Sequence, residues 1–217
     1  MEFLWCILLG YFVGAINPSY ILAKVSGLDI RKNGSGNAGA SNAVIVLGKI
    51  RGLICALFDI AKAAVVVWVA RDVLFPKFAY SYAVTSVSCV LGHIFPFYMM
   101  FKGGKGLACL GGMILTYDWR VFLLMFAGEI GVLLITKYIC FVPMTAIVVF
   151  PVIYGVMMKD LWGALILCIL IPVMIYKHSI NLKRIKNGTE LRISYLWNKE
   201  KEIERLKKNG RQDMKLS

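Results

Sequence analysis

Residues 34–42 form a glycine-rich segment whose polar side chains are suited to binding an anion. Glycine lets the backbone curl so that successive N–H groups point at one anion, while hydroxyl and amide side chains add further donors. A helix that begins near Asn42 would strengthen such a site through its N-terminal N–H groups. We interpret the segment as a phosphate cradle, and a polar turn between two helices is the alternative. The candidate ligands are Gly34, Ser35, Gly36, Asn37, Gly39, Ser41 and Asn42.

A second segment places a histidine and two lysines around paired glycines. It begins at His93 and Pro96 and continues, after a short aromatic stretch, as Lys102, Gly103, Gly104, Lys105 and Gly106. Backbone donors and two point charges at the start of an apolar run would bind a second anion. A lysine pair at the membrane surface is the alternative, but such a pair does not require the glycines.

His178 and Asn181 follow the last apolar run at a spacing that puts both side chains on one face of a helix. A lone histidine at a membrane interface is usually an amphipathic anchor. However, the chain has only 2 histidines, and both stand beside basic or glycine-rich residues. We therefore favour a functional role for this third segment.

Charged residues occur deep inside two of the apolar runs. Asp59 and Lys62 stand three positions apart in one run, and Glu129 stands in another. Left unpaired, each would cost about 2.5–3.5 kcal/mol in the bilayer. Mutual pairing of Asp59 with Lys62 is the simpler interpretation, and the alternative is that Lys62 or Glu129 reaches the functional site.

The composition places these segments in a membrane protein. The chain has 217 residues, of which 59% are hydrophobic and 17% are charged, whereas soluble domains are about 45–50% apolar and 25% charged. A large soluble catalytic domain is excluded, so any chemistry must occur on short loops and helix ends. The net charge of +13 is best explained by cytoplasmic loops and anionic lipid, and we expect no nucleic acid partner. The six cysteines lie in separate apolar runs, which indicates helix packing and no metal site.

The elements that must position the three segments are transmembrane helices. We predict an all-α polytopic protein with about seven spans, followed by a basic cytoplasmic tail over residues 194–217. The membrane domain covers residues 1–193, and residues 197–208 form an amphipathic surface helix. The apolar runs cover residues 3–22, 52–70, 78–101, 107–117, 119–136, 139–158 and 161–176.

The distribution of lysine and arginine predicts the orientation of these spans. The loop after the first run and the tail are both basic, so both should be cytoplasmic and the N-terminus should be outside. The run over residues 107–117 is short, and a re-entrant segment is the alternative. If it did not cross, the basic tail would lie outside, so we count it as a span. All three polar segments then lie on the cytoplasmic face.

The three segments, in this order, resemble those of the bacterial acyl-phosphate:glycerol-3-phosphate acyltransferases. The likeness extends over residues 14–192 and is carried by residues 34–42, 92–96, 101–106, 178–184 and 188–190. It implies a seven-helix enzyme of the bacterial plasma membrane that transfers a fatty acyl group from acyl phosphate to the 1-hydroxyl of glycerol 3-phosphate, giving lysophosphatidate. It also implies no metal, no cofactor, no acyl-CoA or acyl-carrier-protein donor, and no acyl-enzyme. No pattern indicates an oligomeric state.

The resemblance also implies roles for individual residues. Ser35 and the amides of residues 34–39 would hold phosphate, and Lys102 and Lys105 would neutralise its charge. Orientation of the phosphates and hydroxyls would fall to His93, His178 and Asn181. The donor phosphate would take the hydroxyl proton itself, so no protein base is required.

One position departs from the family pattern. Ile45 stands where the family has an arginine, so a bidentate phosphate clamp is missing. We expect Lys49, one helical turn further on the same face, to compensate, and Arg51 is a less well placed candidate. The departure leaves three possibilities: weaker binding of glycerol 3-phosphate, a different phosphorylated acceptor, or an inactive relative that binds or transports a phosphorylated metabolite.

Overall fold

The computed structural model describes residues 1–210, and in this part of the chain every regular element is helical. Short 3₁₀ helices occupy Ile30–Lys32, Phe97–Met99 and Ile193–Leu196, and a π-helical turn occupies Val69–Leu74. The α-helices are α1 (Glu2–Ala15), α2 (Pro18–Val25), α3 (Ala40–Leu47), α4 (Lys49–Trp68), α5 (Ser81–Ile94), α6 (Leu107–Tyr117), α7 (Trp119–Thr136), α8 (Phe141–Met158), α9 (Leu161–Cys168), α10 (Leu170–Lys186) and α11 (Lys199–Lys208).

Polar residues between the apolar runs define where several helices begin. The Asn17 side chain accepts from the N–H of Tyr20 at 2.8 Å, and Pro18 takes the first position of α2, where no N–H is needed. Asp118 accepts from the backbone at the start of α7, and Asp160 does the same for α9. These caps turn a nearly continuous apolar sequence into separate helices.

The described residues contain 6 helical units that are long and apolar enough to cross a membrane. They are Glu2–Val25, Lys49–Leu74, Ser81–Met99, Trp119–Thr136, Phe141–Met158 and Leu161–Lys186. The predicted multi-pass, all-helical architecture is therefore confirmed. The short run predicted over residues 107–117 forms α6, whose 11 residues rise about 16 Å at 1.5 Å per residue, about half of a 30 Å hydrocarbon core. The number of crossings and their orientation stay predictions.

The helix α5 lies at the centre of the bundle and packs closely against α1. A Cβ atom added to Gly14 of α1 would lie 2.1 Å from the carbonyl oxygen of Cys89, and one added to Gly92 of α5 would lie 2.2 Å from that of Tyr11. Only glycine permits such backbone contact between membrane helices. Because of this contact, the end of α5 that carries His93 is held directly against the chain that follows α1.

The tail folds back onto the end of α10. The helix predicted over residues 197–208 is present as α11, and its Leu206 is fully buried. The predicted domain boundary at residue 193 falls within the 3₁₀ helix Ile193–Leu196. Residues 211–217 of the predicted tail lie outside the described residues.

Candidate active site

The first glycine-rich segment is shaped by Asn42. Its side-chain nitrogen donates to the carbonyl oxygens of Ile30 and Asn33 at 2.9 and 3.0 Å, and its side-chain oxygen accepts from the N–H of Ser35 at 2.7 Å. Gly34 has a φ of +62°, and a Cβ atom there would lie 2.2 Å from the Asn42 oxygen. Asn42 therefore holds the curled loop that sequence analysis predicted, and its amide is committed to the backbone.

The helix α3 begins at Ala40, two residues before the predicted start, with Gly39 as its N-cap. The N-terminal N–H groups of α3 therefore end the glycine-rich loop, as a phosphate cradle requires. Ser35 and Asn37 are half-buried, whereas Ser41 lies on the exposed side of the helix.

The second segment folds back over the end of α5. The N–H groups of Gly103 and Gly104 donate to the carbonyl oxygens of Ile94 and His93 at 3.0 and 3.1 Å. A Cβ atom on Gly104 would lie 2.1 Å from Nε2 of His93, so the glycine packs directly against the imidazole. Lys102 is exposed, and Lys105 is half-buried. The sequence-predicted histidine, glycines and lysines thus form one compact unit. The prediction that Gly103 and Gly104 supply backbone donors to an anion is wrong, because both N–H groups bond to carbonyl oxygens of α5.

The two glycine-rich segments meet. A Cβ atom on Gly39 would lie 3.8 Å from the Cα of Gly104, and the Arg31 guanidinium donates to the carbonyl oxygen of Met99 at 3.1 Å. Arg31 is oriented by Asp29, which it contacts at 3.0 Å. Arg31 belongs to the basic loop after the first apolar run, which was used only to predict topology, so its role in joining the two segments was missed.

The third segment contacts the second through Lys105. The Lys105 ammonium donates to the side-chain oxygen of Asn181, and the Asn181 nitrogen donates to a carboxylate oxygen of Glu190 at 2.5 Å. Nδ1 of His178 lies 2.9 Å from the carbonyl oxygen of Met174, which can only accept. Nδ1 therefore carries the proton, which leaves Nε2 of the neutral ring as an acceptor. All three segments are brought together at one end of the bundle.

The ammonium of Lys105 has a lower pKa than is usual for a lysine. Burial lowers the pKa of its ammonium to about 8, and Arg184 and Lys177 act in the same direction, while Glu190 and the Cys140 thiol oppose them. A lysine with this pKa is held in a poorly solvated position, where its charge interacts strongly with a bound anion. Glu190 had entered sequence analysis only as part of the family resemblance.

The intramembrane pair Asp59 and Lys62 forms as predicted and also reaches the site. Nζ of Lys62 lies 2.6 Å from Oδ1 of Asp59 and 3.2 Å from Nδ1 of His93, and it donates to the carbonyl oxygen of Ile16. Lys62 therefore pairs with Asp59, as the simpler interpretation has it, and also lies against His93 of the candidate site, as the alternative has it. Glu129 instead accepts from Thr145 of α8 at 2.7 Å.

Asp59, His93 and Cys109 place three potential metal ligands within 4.8 Å of one another. The Lys62 ammonium already lies against Asp59 and His93, so a positive charge is present where a cation would bind. These residues fit a buried charge cluster better than a metal centre, because an ammonium and a metal ion would repel each other.

The expected geometry of Lys49 is wrong. The helix α3 ends at Leu47, Gly48 has a φ of +92°, and Lys49 begins α4, so it does not lie one turn beyond Ile45 on the same helix. The Lys49 ammonium donates to the carbonyl oxygen of Leu196 at 3.0 Å on the surface. A groove of about 470 Å³ lies between residues 44–49 and residues 195–199. Its lining residues include Ile45, Lys49, Tyr195 and Trp197.

Comparison with known proteins identifies the family to which the chain belongs. The family model for glycerol-3-phosphate acyltransferase matches residues 4–188. The chain is 35% identical over 189 residues to a glycerol-3-phosphate acyltransferase of Thermotoga petrophila, covering 86% of this chain and 94% of the relative. It is 35% identical over 194 residues to a glycerol-3-phosphate acyltransferase of Bacillus subtilis, covering 88% and 97%.

Two crystal structures of PlsY, an integral membrane glycerol 3-phosphate acyltransferase, share the fold. The glycerol 3-phosphate form has a TM-score of 0.80 at 29% identity and covers 90% of this chain and 98% of the other. The lysophosphatidic acid form has a TM-score of 0.78 at 27% identity and covers 90% and 97%. The match in sequence and in fold shows that this multi-pass membrane protein belongs to the glycerol-3-phosphate acyltransferase family.

Proposed function

We propose that the protein transfers a fatty acyl group from acyl phosphate to the 1-hydroxyl of glycerol 3-phosphate, giving lysophosphatidate and inorganic phosphate. The observation that carries this proposal is the meeting of two glycine-rich loops at Gly39 and Gly104, beside the Lys105–Asn181 contact. Two neighbouring anion sites are what a reaction between two phosphorylated molecules requires.

The reaction needs alignment more than it needs a strong base. The hydroxyl oxygen attacks the acyl carbonyl carbon, the bond from that carbon to the phosphate oxygen breaks, and the leaving phosphate carries away the hydroxyl proton. Acyl phosphate is already activated, so fixed dipoles and charges that hold the two reactants in register supply most of the acceleration. A site built from backbone amides, lysine and histidine meets this need.

Several of the predicted site residues have a place in this scheme, whereas Asn42 shapes the first loop and Lys49 lies on the surface. The Ser35 hydroxyl and the N-terminal amides of α3 bind one phosphate, since the N–H groups of Ser35 and Gly36 are held within the loop. Lys105 and Lys102 neutralise charge that develops on the leaving phosphate. His93 presents Nε2 beside the second loop, while His178 and Asn181 orient the acceptor on the side of the third segment. The acyl chain lies between helices and enters from the lipid.

We place the site on the cytoplasmic face of a bacterial plasma membrane. The loops over residues 23–51 and 102–106, which contain the first two segments, carry seven lysine and arginine residues. The opposite loops over residues 71–77, 117–120 and 159–160 carry four, which favours the cytoplasm for the end with the site. Acyl phosphate and glycerol 3-phosphate are the partners, together with the bilayer that supplies the acyl chain.

The alternative function is a carrier for a phosphorylated metabolite. It is favoured by Ile45, which replaces the arginine that the family has at this position. Carriers place their polar residues near the midplane between internal repeats. Here the polar segments meet at one end of the bundle, beside the N-termini of α3 and α6. This arrangement supports chemistry at a membrane surface.

The test is phosphate release by the purified protein in lipid, with palmitoyl phosphate and glycerol 3-phosphate as substrates. Formation of lysophosphatidate in equal amount is expected, and palmitoyl coenzyme A in place of palmitoyl phosphate should give none. Lys105→Ala is the reference variant. If the unaltered protein releases phosphate no faster than this variant does, the proposed reaction is wrong.

A further inference from the structure

We propose that the tail helix α11 positions Asn181 and Lys105 for catalysis through Glu190, with Arg205 as the positioning residue. This inference rests on the proposed function of the site. The helix α11 lies beyond residues 4–188, which the family model matches, so the role belongs to a part of the chain that the family description leaves out.

The first step is the chain of contacts at the site. Lys105 donates to Asn181, and Asn181 donates to Glu190 at 2.5 Å. Asn181 and Glu190 are both buried, at 6% exposure each. The position of the Glu190 carboxylate therefore decides how the Asn181 amide is turned, and the amide decides where the lysine points.

The second step is how Glu190 is held. It lies in an irregular segment between the end of α10 at Lys186 and the 3₁₀ helix that begins at Ile193. Carbonyl groups in such a segment lack the partners that a helix would give them. The Arg205 guanidinium donates to the carbonyl oxygens of Gly188 and Glu190, both at 2.6 Å.

The third step is the other side of the same segment. Glu202, one helical turn before Arg205, accepts from the N–H of Arg192 at 2.9 Å and pairs with Arg205 at 2.5 Å. Glu202 is 4% exposed, and Leu206 beside it is 1% exposed, so α11 is packed and not merely laid on the surface. One ion pair on α11, between the half-buried Arg205 and the buried Glu202, thus fixes the backbone on both sides of Glu190.

This arrangement has an electrostatic consequence at Lys105. The negative charge of Glu190 raises the pKa of Lys105, against the effects of burial and of Arg184 and Lys177. The Cys140 thiol also faces the ammonium. The Glu190 carboxylate stabilises the charged form of Lys105. If Glu190 moves away from Asn181, this stabilisation is lost and the pKa of Lys105 falls.

The experiment compares Arg205→Ala with Lys208→Ala in the full chain reconstituted in lipid. Both variants remove one positive charge from α11, but Lys208 is exposed. We expect Arg205→Ala to lower kcat/KM by about tenfold and to move the alkaline limb of the pH profile at least half a pH unit lower, whereas Lys208→Ala changes neither. Arg205→Lys should regain part of the rate, since an ammonium can reach one carbonyl oxygen.

Thermal unfolding of the same samples separates positioning from loss of the fold. If Arg205→Ala does not fold, Glu202→Gln is the second variant. It weakens the same ion pair and keeps the size of the side chain, and it should also move the alkaline limb to lower pH. An alkaline limb that stays in place in the variant that folds overturns the proposal, and so does an equal loss in Lys208→Ala.

The pKa of Lys105 can also be read without turnover, from the pH dependence of its reductive methylation followed by mass spectrometry. If the unaltered protein shows no acyl transfer, the proposed function fails, but this measurement still tests the tail. A Lys105 pKa that is unchanged by Arg205→Ala would then overturn the positioning role by itself.

Discussion

Nζ of Lys62 in α4 lies 3.2 Å from Nδ1 of His93 in α5. The same ring nitrogen lies 3.3 Å from Oδ1 of Asp59, and all three side chains are buried. Because Nδ1 is engaged by this pair, Nε2 is the nitrogen that faces Gly104. A charge pair within a membrane span therefore orients an imidazole of the candidate active site.

Lys62→Met should destabilise the protein strongly. The change leaves the Asp59 carboxylate buried without its ammonium, and breaking a buried ion pair in this way costs about 3–5 kcal/mol. For a chain of this size the thermal midpoint should fall by about 10 °C. The measurement is thermal unfolding in detergent.

The double variant Asp59→Asn with Lys62→Met should regain at least half of that loss, because it removes both charges together. Glu129→Gln is the control, since Glu129 is another acid within a span but bonds to Thr145. A double variant that is no more stable than Lys62→Met would contradict this account of the pair.

Gly104→Ala should lower acyl transfer by about a hundredfold, because its methyl group would lie 2.1 Å from Nε2 of His93 and must displace the ring or the loop. The control is Gly111→Ala in α6, where the added methyl group meets only Phe122 at 3.6 Å. Lysophosphatidate formation measures both variants. Equal activity in the two would show that the contact between glycine and imidazole does not matter.

Acyl transfer should decline above pH 8, because the pKa of Lys105 is about 8 and only its charged form neutralises phosphate. As pH rises through this value, kcat/KM should fall, reaching about a tenth of its plateau one pH unit higher. The limb of kcat should lie at higher pH, since bound phosphate favours the ammonium.

Lys105→Arg provides the control for this pH profile. A guanidinium keeps its charge throughout this range, so the variant should be slower but should lose the alkaline limb. A variant with the same limb as the unaltered protein would assign that limb to another group.

Ile45→Arg should lower the KM for glycerol 3-phosphate by about tenfold, since a new charge-assisted contact contributes about 1.5–3 kcal/mol. Ile45 lines a groove of about 470 Å³, which has room for the longer side chain. Steady-state kinetics at saturating palmitoyl phosphate measure the effect, with Ile45→Met as an uncharged control. An unchanged KM would show that this position does not face the acceptor.

Lys49→Ala should raise the same KM if Lys49 substitutes for the missing arginine. Its ammonium donates to the Leu196 carbonyl, and it must leave that oxygen to reach a substrate. We therefore expect only a two- to threefold effect, within the range of an exposed charge. No change in KM would exclude the compensation by Lys49.

Local patterns in the sequence predicted several structural features of the candidate site. Glycine density identified both loops, and the spacing of His178 and Asn181 placed them on one face. The apolar run over residues 107–117 has the bounds of α6, while its counting as a membrane crossing stays a prediction. Each of these signals depends on neighbours within one or two turns. The meeting of the three segments followed from topology, because charge counts placed them all on one side of the membrane.

Contacts between distant parts of the chain could not be predicted from the sequence. Lys62 and His93 are 31 residues apart on different helices, so their distance depends on how α4 and α5 pack. The break at Gly48 was missed because a single glycine with positive φ ended α3 inside an apolar pattern. The contact of Arg205 with Glu190 depends on the tail folding back, which no local pattern encodes.

The central position of α5 separates the chemistry from the mechanics of the bilayer. In the span Ser81–Met99, which contains α5, 78% of the residues in the most apolar stretch are buried inside the protein, whereas 11% are buried in α7. A thicker or thinner bilayer acts first on helices that lipid surrounds, and these can tilt to match it. His93 is carried by the helix that lipid touches least, and the glycine contacts between α1 and α5 leave no side chain between them to yield. Turnover should therefore tolerate wide changes in acyl composition of the host membrane, so the enzyme can work in the very lipid mixture whose synthesis it begins.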